Sequence, residues 1–278
     1  AEILIATTEG VTLQTITIQQ ESNEMSPAKA MDLSHNGTAN CYIISEAGRY
    51  KFKPTKGNSF ESVGVISNVE ILWESFGNAT KPVQGDLIQN AKYANGVIVL
   101  ETSESFKSGN AVIAAKDAEG NILWSWHIWC SAEGFKEHSY ANNAGVLMDR
   151  NLGATSAEPG DASSIGLLYQ WGRKDPFVAS SHIKNNTPAL TTSNEQYPKV
   201  ISNSETGTIE YSILHPTTFI YKTDYSGRTD WAEVADEPGS ERWQTVKTIY
   251  DPCPYGWKVP EGGENGVWQT AGFPRGVS

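Results

Sequence analysis

The chain has 278 residues and a formal net charge of -11, and hydrophobic residues make up 38% of it. This length suffices for one large or two medium domains, and the hydrophobic content excludes disorder as the main state. No apolar run approaches the roughly 18 residues of a membrane span. The negative charge argues against a nucleic-acid partner, because phosphates would be repelled, and is typical of a soluble secreted protein.

Residues 1–35 are predicted to form N-terminal strands followed by a polar linker. Segments 3–5 and 11–18 have strand character, and the apolar phase of the second one shifts near Thr15, which predicts a bulge or a strand covered on both sides. Two interpretations stay open. The strand pairs with a neighbouring subunit, as in pilus assembly, or it is an edge strand or the tail of a preceding domain, which is the favoured interpretation.

Residues 36–134 show short β-prone runs at steady spacing, separated by Gly, Asn and Ser turn signals. The predicted strands span 41–45, 49–54, 69–74, 97–102, 111–117 and 122–129. Almost no helical periodicity interrupts them. The pattern predicts an immunoglobulin-like β-sandwich.

The last of these strands carries a row of tryptophans. Alternation places Trp124, Trp126 and Ile128 on one face and His127 on the other. Such a row either stacks against sugars or forms core, and core is favoured because buried tryptophan dominates small sandwiches. His127 is expected to be a packed residue rather than a ligand.

Three cysteines are present, so at least one is unpaired. Cys41 begins the first sandwich strand and Cys130 ends the last. If these strands are antiparallel neighbours, their ends meet and a disulfide between Cys41 and Cys130 is predicted. Clustered Cys/His spacing is absent from the sequence, so no metal site of the structural zinc type is predicted.

Three motifs dominate the second half of the chain. They are VLMDRNLGA at 146–154, GLLYQWGRKDPF at 166–177 and the proline-stiffened corner YDPCPYGWKVP at 250–260. Together they resemble the FISUMP-type domain, a C-type-lectin-like module of surface lipoproteins and fimbria-associated proteins in anaerobic gut bacteria. The resemblance implies a mainly β protein, in which an α+β C-type-lectin-like domain over 140–278 follows the sandwich.

Five motif residues are expected to have structural roles: Asp149, Arg150, Trp171, Cys253 and Trp257. Asp149 and Arg150 would brace the fold through hydrogen bonds to the backbone, with Arg150 paired to a buried carboxylate; contact with a ligand is the alternative interpretation. Cys253 matches the family cysteine that pairs with a partner near the end of the domain. No such cysteine follows it before residue 278, so the domain is expected to be shortened or truncated at its C-terminus.

The spacing of Ile165, Leu168 and Trp171 predicts a helix over 162–174, capped by Asp161 or Ser163. Residues 178–225 are polar, with predicted strands at 209–213 and 219–222, and indicate long surface loops of the kind that bind ligands.

An acidic, aromatic segment precedes the corner and supplies the candidate ligand-binding residues Trp231, Glu233, Asp236 and Trp243. An aromatic ring beside carboxylates is the type of surface on which a sugar can stack and donate hydrogen bonds.

Catalytic patterns are weak. The histidines show no zincin spacing, and hydrolase-elbow and phosphate-loop motifs are absent from the sequence. A glycosidase needs two carboxylates, for which Glu233, Asp236 and Glu241 are candidates, although a solvated acidic loop is favoured. Asp224, Asp230 and Asp236 leave a loop calcium site open. No other cofactor is predicted.

Two functional hypotheses remain. The first is a non-catalytic adhesin or fimbria-associated subunit on the extracellular side of the outer membrane, held by a lipid anchor outside this sequence. Its partners would be a glycan or a host surface protein, together with other fimbrial subunits. The second is a surface protein that binds or processes polysaccharides through the tryptophan-bearing loops.

Overall fold

The computed structural model describes residues 2–6, 12–17, 25–181, 187–188, 190–192, 197–223, 230–233 and 242–273. The protein is mainly β, with strands in several separate sheets and only short helices. Within these residues, every helix is too short or too polar to cross a membrane.

An antiparallel hairpin of β1 (Glu2–Ala6) and β2 (Thr12–Thr17) begins the described chain. The register shifts between Ile5 and Ala6, so Leu13 on the facing strand has no opposite residue. The predicted bulge is therefore present, two residues before Thr15. Each strand already has one partner within the chain, and exchange of a strand between subunits stays a prediction.

Two four-stranded sheets follow. Their strands are, in chain order, β3 (Met31–Asp32), β4 (Cys41–Ile44), β5 (Arg49–Phe52), β6 (Asn68–Ser75), β7 (Ile88–Ala94), β8 (Val97–Thr102), β9 (Gly109–Lys116) and β10 (Ile122–Cys130). One sheet has the order β4-β10-β9-β6 and the other β3-β5-β8-β7. All six predicted strands are confirmed within a few residues, whereas the short β3 and the largely exposed β7 were not predicted.

The two sheets enclose one hydrophobic core. Phe52 from one sheet meets Trp126 from the other edge to face, with ring centroids 5.3 Å apart. Trp124 and Ile128 are fully buried in the same cluster. The tryptophan row of β10 is therefore core, since no face of it is open to a sugar.

The opposite face of β10 is buried as well. Ser125, His127 and Trp129 are almost completely inaccessible, although they point away from the sandwich core. A strand at a sandwich surface would normally leave this face to solvent. Residues after Cys130 cover it instead, since Phe135 stacks on Trp129 and Asp175 bonds to Ser125, so β10 lies between the sandwich core and the second half of the chain.

The predicted disulfide between Cys41 and Cys130 is wrong in this structure. Strands β4 and β10 run parallel, with Cys41 opposite His127 and Cys130 opposite Ile44. The two cysteines therefore lie at opposite ends of the strand pair, roughly 10 Å apart at about 3.3 Å per residue, beyond the reach of a disulfide. Both thiols are free.

The second half of the chain is a succession of short two-stranded sheets. Its elements are β11 (Glu137–Tyr140), β12 (Gly145–Met148), β13 (Leu167–Tyr169), β14 (Pro176–Val178), β15 (Ser180–Ser181), β16 (Thr187–Pro188), β17 (Lys199–Ile201), α1 (Ile209–Leu214), β18 (Phe219–Tyr221) and α2 (Val267–Thr270). The pair β17–β18 is parallel, and the three other pairs are antiparallel hairpins.

The helix predicted over 162–174 is replaced by a single 3-10 turn and the β13–β14 hairpin. Asp161 does cap the turn, accepting a hydrogen bond from the Ser163 amide at 2.9 Å. Gly166 and Gly172 have φ of 73° and 77°, which a right-handed helix cannot contain. A Cβ at Gly166 would lie 2.7 Å from the Leu152 carbonyl oxygen, so this bend also needs glycine.

The strand predicted over 209–213 is also wrong, because these residues form α1. Thr208 caps this helix, its hydroxyl accepting a hydrogen bond from the Tyr211 amide at 3.1 Å. The apolar run is too short for periodicity to separate helix from strand, and the cap decides in favour of helix. The neighbouring strand prediction at 219–222 is confirmed by β18.

A buried ionic cluster joins the GRKD segment to β10. Lys174 Nζ lies 2.7 Å from Asp175 Oδ1 and 2.5 Å from Ser125 Oγ, and Ser125 donates to Asp175 Oδ1 at 2.6 Å. The ammonium also sits 4.6 Å from the ring centroid of Trp124. Every member of the cluster is buried and partnered, so it fixes the position of the second region against the sandwich.

Arg173 anchors the next layer. Its guanidinium is buried and donates to the carbonyl oxygens of Thr218 and His215 at 2.8 and 3.1 Å, and to Gln170 Oε1 at 2.7 Å. Burial lowers its pKa to about 10. The guanidinium also donates to the Ser212 carbonyl oxygen at 3.3 Å, in the last turn of α1, where the helix dipole favours a cation.

Candidate binding cleft

The three sequence motifs converge on one cleft of about 810 Å³. Its walls come from segments 147–152, 164–169 and 252–260, together with Tyr140, Trp243 and Trp268. We call this the motif cleft. Segments separated by about 100 residues thus build one concave surface, and its volume lies in the range of small-ligand sites.

The corner forms a rigid wall of the cleft because Asp251 holds both of its sides. Asp251 Oδ1 accepts from the Cys253 amide at 2.9 Å and from Lys247 Nζ at 2.6 Å, and Oδ2 accepts from the Val259 amide at 2.9 Å. Lys247 Nζ also donates to the Cys253 carbonyl at 2.9 Å. These charge-assisted bonds fix the backbone on which Trp257 stands.

The corner is pinned to the sandwich by one asparagine. Asn40 Nδ2 donates to the carbonyl oxygens of Ile249 and Asp251 at 2.6 and 2.9 Å, while Asn40 Oδ1 accepts from Trp124 Nε1 at 2.9 Å. Cys41 adds a β-bridge to Pro254. The proline-rich segment is therefore an integral part of the packed structure.

Asp149 and Arg150 lie at the end of β12 on the cleft wall. They form a two-pronged ion pair, Arg150 Nε to Asp149 Oδ1 at 2.8 Å and Nη2 to Oδ2 at 3.0 Å. The hydrogen bond from Arg150 holds the pKa of Asp149 below its usual value, and the same bond raises that of Arg150. The ion pair joins two neighbouring residues of the chain and neutralises both charges, and the predicted bracing of the fold stays a prediction.

Aromatic side chains form the rim of the cleft. Trp268, carried by the single turn of α2, is 52% exposed and meets Tyr140 edge to face at 5.2 Å between ring centroids. Phe273 is 5.8 Å from Trp268 and 6.1 Å from Tyr140. These three residues, which we call the rim trio, present large apolar faces beside the opening.

A second aromatic pair borders the cleft at Trp243. Its indole nitrogen donates to the Tyr250 carbonyl at 3.0 Å, and its ring lies 5.1 Å from that of Trp171. Trp243 was predicted to bind ligand and does line the cleft. Trp171 was predicted to be structural, but its side chain is half-exposed on the β13–β14 turn rather than packed on a helix face.

The other predicted ligand-binding residues lie outside the cleft. Trp231 is only 3% exposed, donates from Nε1 to the Trp171 carbonyl at 2.7 Å, and packs 5.6 Å from the Arg173 guanidinium. No face of its ring is free to stack on a sugar in this structure. Glu233 is exposed and pairs with Lys222 at 3.5 Å. Asp236 lies outside the described residues.

The remaining structural candidates are placed as follows. Trp257 is half-buried on the corner, and Phe135 meets its ring edge to face at 5.3 Å. Phe135 in turn stacks on Trp129 at 6.4 Å, which links the cleft wall to β10. Cys253 lies on the same wall, and burial raises the pKa of its thiol.

The loop calcium site finds no support at Asp230. Both of its carboxylate oxygens are engaged by Arg242, at 2.8 and 2.7 Å. Asp224, Asp236 and Glu241 lie outside the described residues. Elsewhere in the described chain, no three His, Cys, Asp or Glu side chains come close enough together to hold a metal ion.

Sequence reasoning missed the rim trio. The weak signal was a tryptophan that follows a glycine-rich turn at 262–266, where a side chain is easily left exposed. Comparison with protein-family models, with curated proteins and with solved structures gives no significant match.

Proposed function

We propose that this chain is a non-catalytic cell-surface adhesin or fimbria-associated subunit that binds a glycan in the motif cleft. On this proposal the sandwich is immunoglobulin-like, and the region after it is a C-type-lectin-like module of the FISUMP type. The observation that carries the proposal is the half-exposed Trp268 at the opening of an 810 Å³ cleft.

The chemistry of the cleft fits a sugar. A pyranose ring has an apolar face that packs on an indole and a hydroxylated edge that needs hydrogen bonds. Tyr140 and Trp268 of the rim trio supply the apolar surface, and Asn151, Ser156 and Lys258 bring polar groups to the same lining. A few polar groups among aromatic ones is the usual composition of a ligand site.

The charge of the cleft favours binding over hydrolysis. Of the described residues that line it, Asp149 is the only carboxylate, and both of its oxygens face Arg150. Glycoside hydrolysis needs two carboxyl groups on either side of the scissile bond. Processing of polysaccharide would produce new reducing ends, so a reducing-end assay on the glycans that bind separates this alternative.

The surface setting is part of the same proposal. A lipid anchor outside this sequence would hold the protein on the extracellular side of the outer membrane. The ligand is then a free glycan or a glycosylated host surface protein, and other fimbrial subunits are further partners. The net charge of -11 supports an extracellular, soluble domain.

A glycan array followed by calorimetric titration tests the proposal. Trp268→Ala should raise the Kd of any bound glycan about tenfold, because an aromatic contact contributes about 0.5–1.5 kcal/mol beyond its buried area. Phe60→Ala removes a 99% exposed ring from a loop outside the cleft and serves as the matched control. Absence of glycan binding, or equal losses in the two variants, would refute the proposed site.

A further inference from the structure

Two thiols from distant parts of the chain are buried at one junction. Cys41 begins β4 and is completely inaccessible, and Cys253 is half-buried on the corner. Cys41 forms a parallel β-bridge with Pro254, the residue directly after Cys253. The side chain of Asn40 ties the same two segments together through its hydrogen bonds to Ile249 and Asp251.

The bridge brings the two cysteines within the range of a disulfide. Paired strands lie about 4.8 Å apart and advance about 3.3 Å per residue, so the Cα atoms of Cys41 and Cys253 are separated by roughly 6 Å. Disulfides span Cα distances of about 4.4–6.8 Å. Cys253 is a bend residue between Pro252 and Pro254, so the strand alternation that sends neighbouring side chains to opposite faces does not apply to it.

The two thiols also lie close enough to interact electrostatically with each other and with Tyr169. Burial raises the pKa of Cys41, and the neighbouring Cys253 raises it further. Burial also raises the pKa of Tyr169, and the neighbouring Cys41 and Cys253 raise it further. The Tyr169 hydroxyl is buried without a hydrogen-bond partner among the described residues, and Tyr169 and Cys253 both line the motif cleft.

We infer that Cys41 and Cys253 form a disulfide when the chain folds in an oxidising compartment, fastening the corner of the motif cleft to strand β4 of the sandwich. Cys41 would then take the place of the C-terminal partner that the FISUMP resemblance implies for Cys253. The reaction is exchange with an external small-molecule disulfide. One cysteine thiolate attacks that disulfide and releases a thiolate, and the second cysteine thiolate then displaces the remaining half. Two protein thiols are oxidised to one disulfide, the external disulfide is reduced to two thiols, and two protons are transferred.

The timing follows from burial. Only the thiolate is nucleophilic, and both thiols have raised pKa values once they are buried. Exchange therefore takes place while the corner is still docking, and the folded, reduced protein resists oxidation. Cys130 is also buried, and burial raises its pKa to about 12, but it is paired in register with Ile44 at the other end of β4. It is a natural internal control.

Refolding the full chain with oxidised and reduced glutathione, or with a reductant alone, tests the cross-link. Wild type and Cys130→Ser should each lose two hydrogens in intact mass, and non-reducing peptide maps should show a peptide that joins Cys41 to Cys253. The thermal midpoint of oxidised Cys130→Ser should exceed that of its reduced form by about 5–15 °C.

Cys41→Ser and Cys253→Ser should remain uncross-linked under the same conditions. The inference is overturned if wild type refolds oxidatively with native circular dichroism and three titratable thiols. A bond that includes Cys130, or one between two chains, overturns it equally. The decisive measurements are made on wild type and Cys130→Ser, so they stand even if the other two variants fold poorly. None of these outcomes depends on glycan binding.

Discussion

Replacing His127 by glutamine should flatten the loss of stability that this protein undergoes in mildly acidic solution. The imidazole is buried on the outer face of β10, where Nε2 lies 2.9 Å from Asn110 Oδ1. Asn110 Nδ2 donates to the Gly153 carbonyl, so the asparagine oxygen faces the ring and Nε2 carries the proton. Nδ1 has no partner in the described structure. A second proton on the ring would therefore be a buried, unpaired charge.

The magnitude follows from the pKa. Burial lowers the pKa of His127 to about 3 in the folded protein, against about 6.5 in an unfolded chain. As pH falls below 6.5, the unfolded state binds a proton that the folded state excludes until about pH 3. The titration of His127 therefore leaves the free energy of unfolding unchanged above pH 6.5 and lowers it progressively between pH 6.5 and pH 3. The slope is about 1.4 kcal/mol per pH unit, or about 3.4 kcal/mol at pH 4.

Urea unfolding followed by tryptophan fluorescence at pH 7, 5.5 and 4.5 measures this slope. Glutamine keeps an N–H for Asn110 and does not titrate, so the difference between wild type and His127→Gln isolates the imidazole. The carboxylates of Asp86 and Asp149, whose pKa values are lowered, contribute equally to both proteins. His138→Gln changes an exposed histidine and is the control. Parallel pH profiles for wild type and His127→Gln would refute the reasoning.

Three further changes test the packing. Lys174→Met should lower the free energy of unfolding by about 3–5 kcal/mol, because it leaves the buried Asp175 carboxylate without its cation. The control Lys107→Met, in an exposed ion pair, should lower it by less than about 1 kcal/mol. Equal losses of stability in the two variants would contradict the argument. Asp251→Asn should lower the free energy of unfolding by about 1.5–3 kcal/mol, because the new NH2 group would face one of the three N–H donors that the carboxylate now accepts from. An unchanged midpoint in a denaturant titration would count against a rigid corner. Gly172→Ala should lower the thermal midpoint, because φ is 77° and a Cβ would lie 2.5 Å from the Arg242 side chain; a rise would contradict it.

The strands of the sandwich were predictable because two local signals agree there. Alternation of apolar residues and Gly/Asn turns mark Val97–Thr102 and Ile122–Cys130 with little ambiguity. Strand Ile88–Ala94 was missed because most of its side chains are exposed and polar, so only its pairing with Val97–Thr102 makes it a strand. The parallel order of β4 and β10 depends on tertiary pairing, which explains the wrong disulfide.

Helix and strand were exchanged twice in the second half for the same physical reason. The helix predicted over 162–174 rests on only three apolar positions, Ile165, Leu168 and Trp171, and Ile209–Leu214 is shorter than two helical periods. In the first, two glycines with positive φ decide against helix, and in the second a threonine cap decides for it. Neither deciding feature is visible in the apolar pattern that was read.

The candidate site was predictable as a set of motifs but not residue by residue. The three motifs do meet in space, and Trp243 and the Asp149–Arg150 pair lie where they meet. Whether a given tryptophan is open or covered depends on packing from other segments. Trp231 is covered by the hairpin that contains Trp171, whereas Trp268 is left half-exposed.

Strand β10 explains why the cleft and the sandwich cannot be treated as independent units. Its inward tryptophans form the sandwich core, and its outward Ser125 bonds to Asp175 in the layer that supports the cleft. His127 bonds to Asn110 of the neighbouring strand β9, whose amide donates to the Gly153 carbonyl of that layer. A fragment that starts after Cys130 would leave Lys174 and Asp175 without the serine that completes their cluster, and buried charges without full hydrogen bonding are strongly destabilising. The walls of the motif cleft therefore owe their positions to a strand that contributes no residue to its lining.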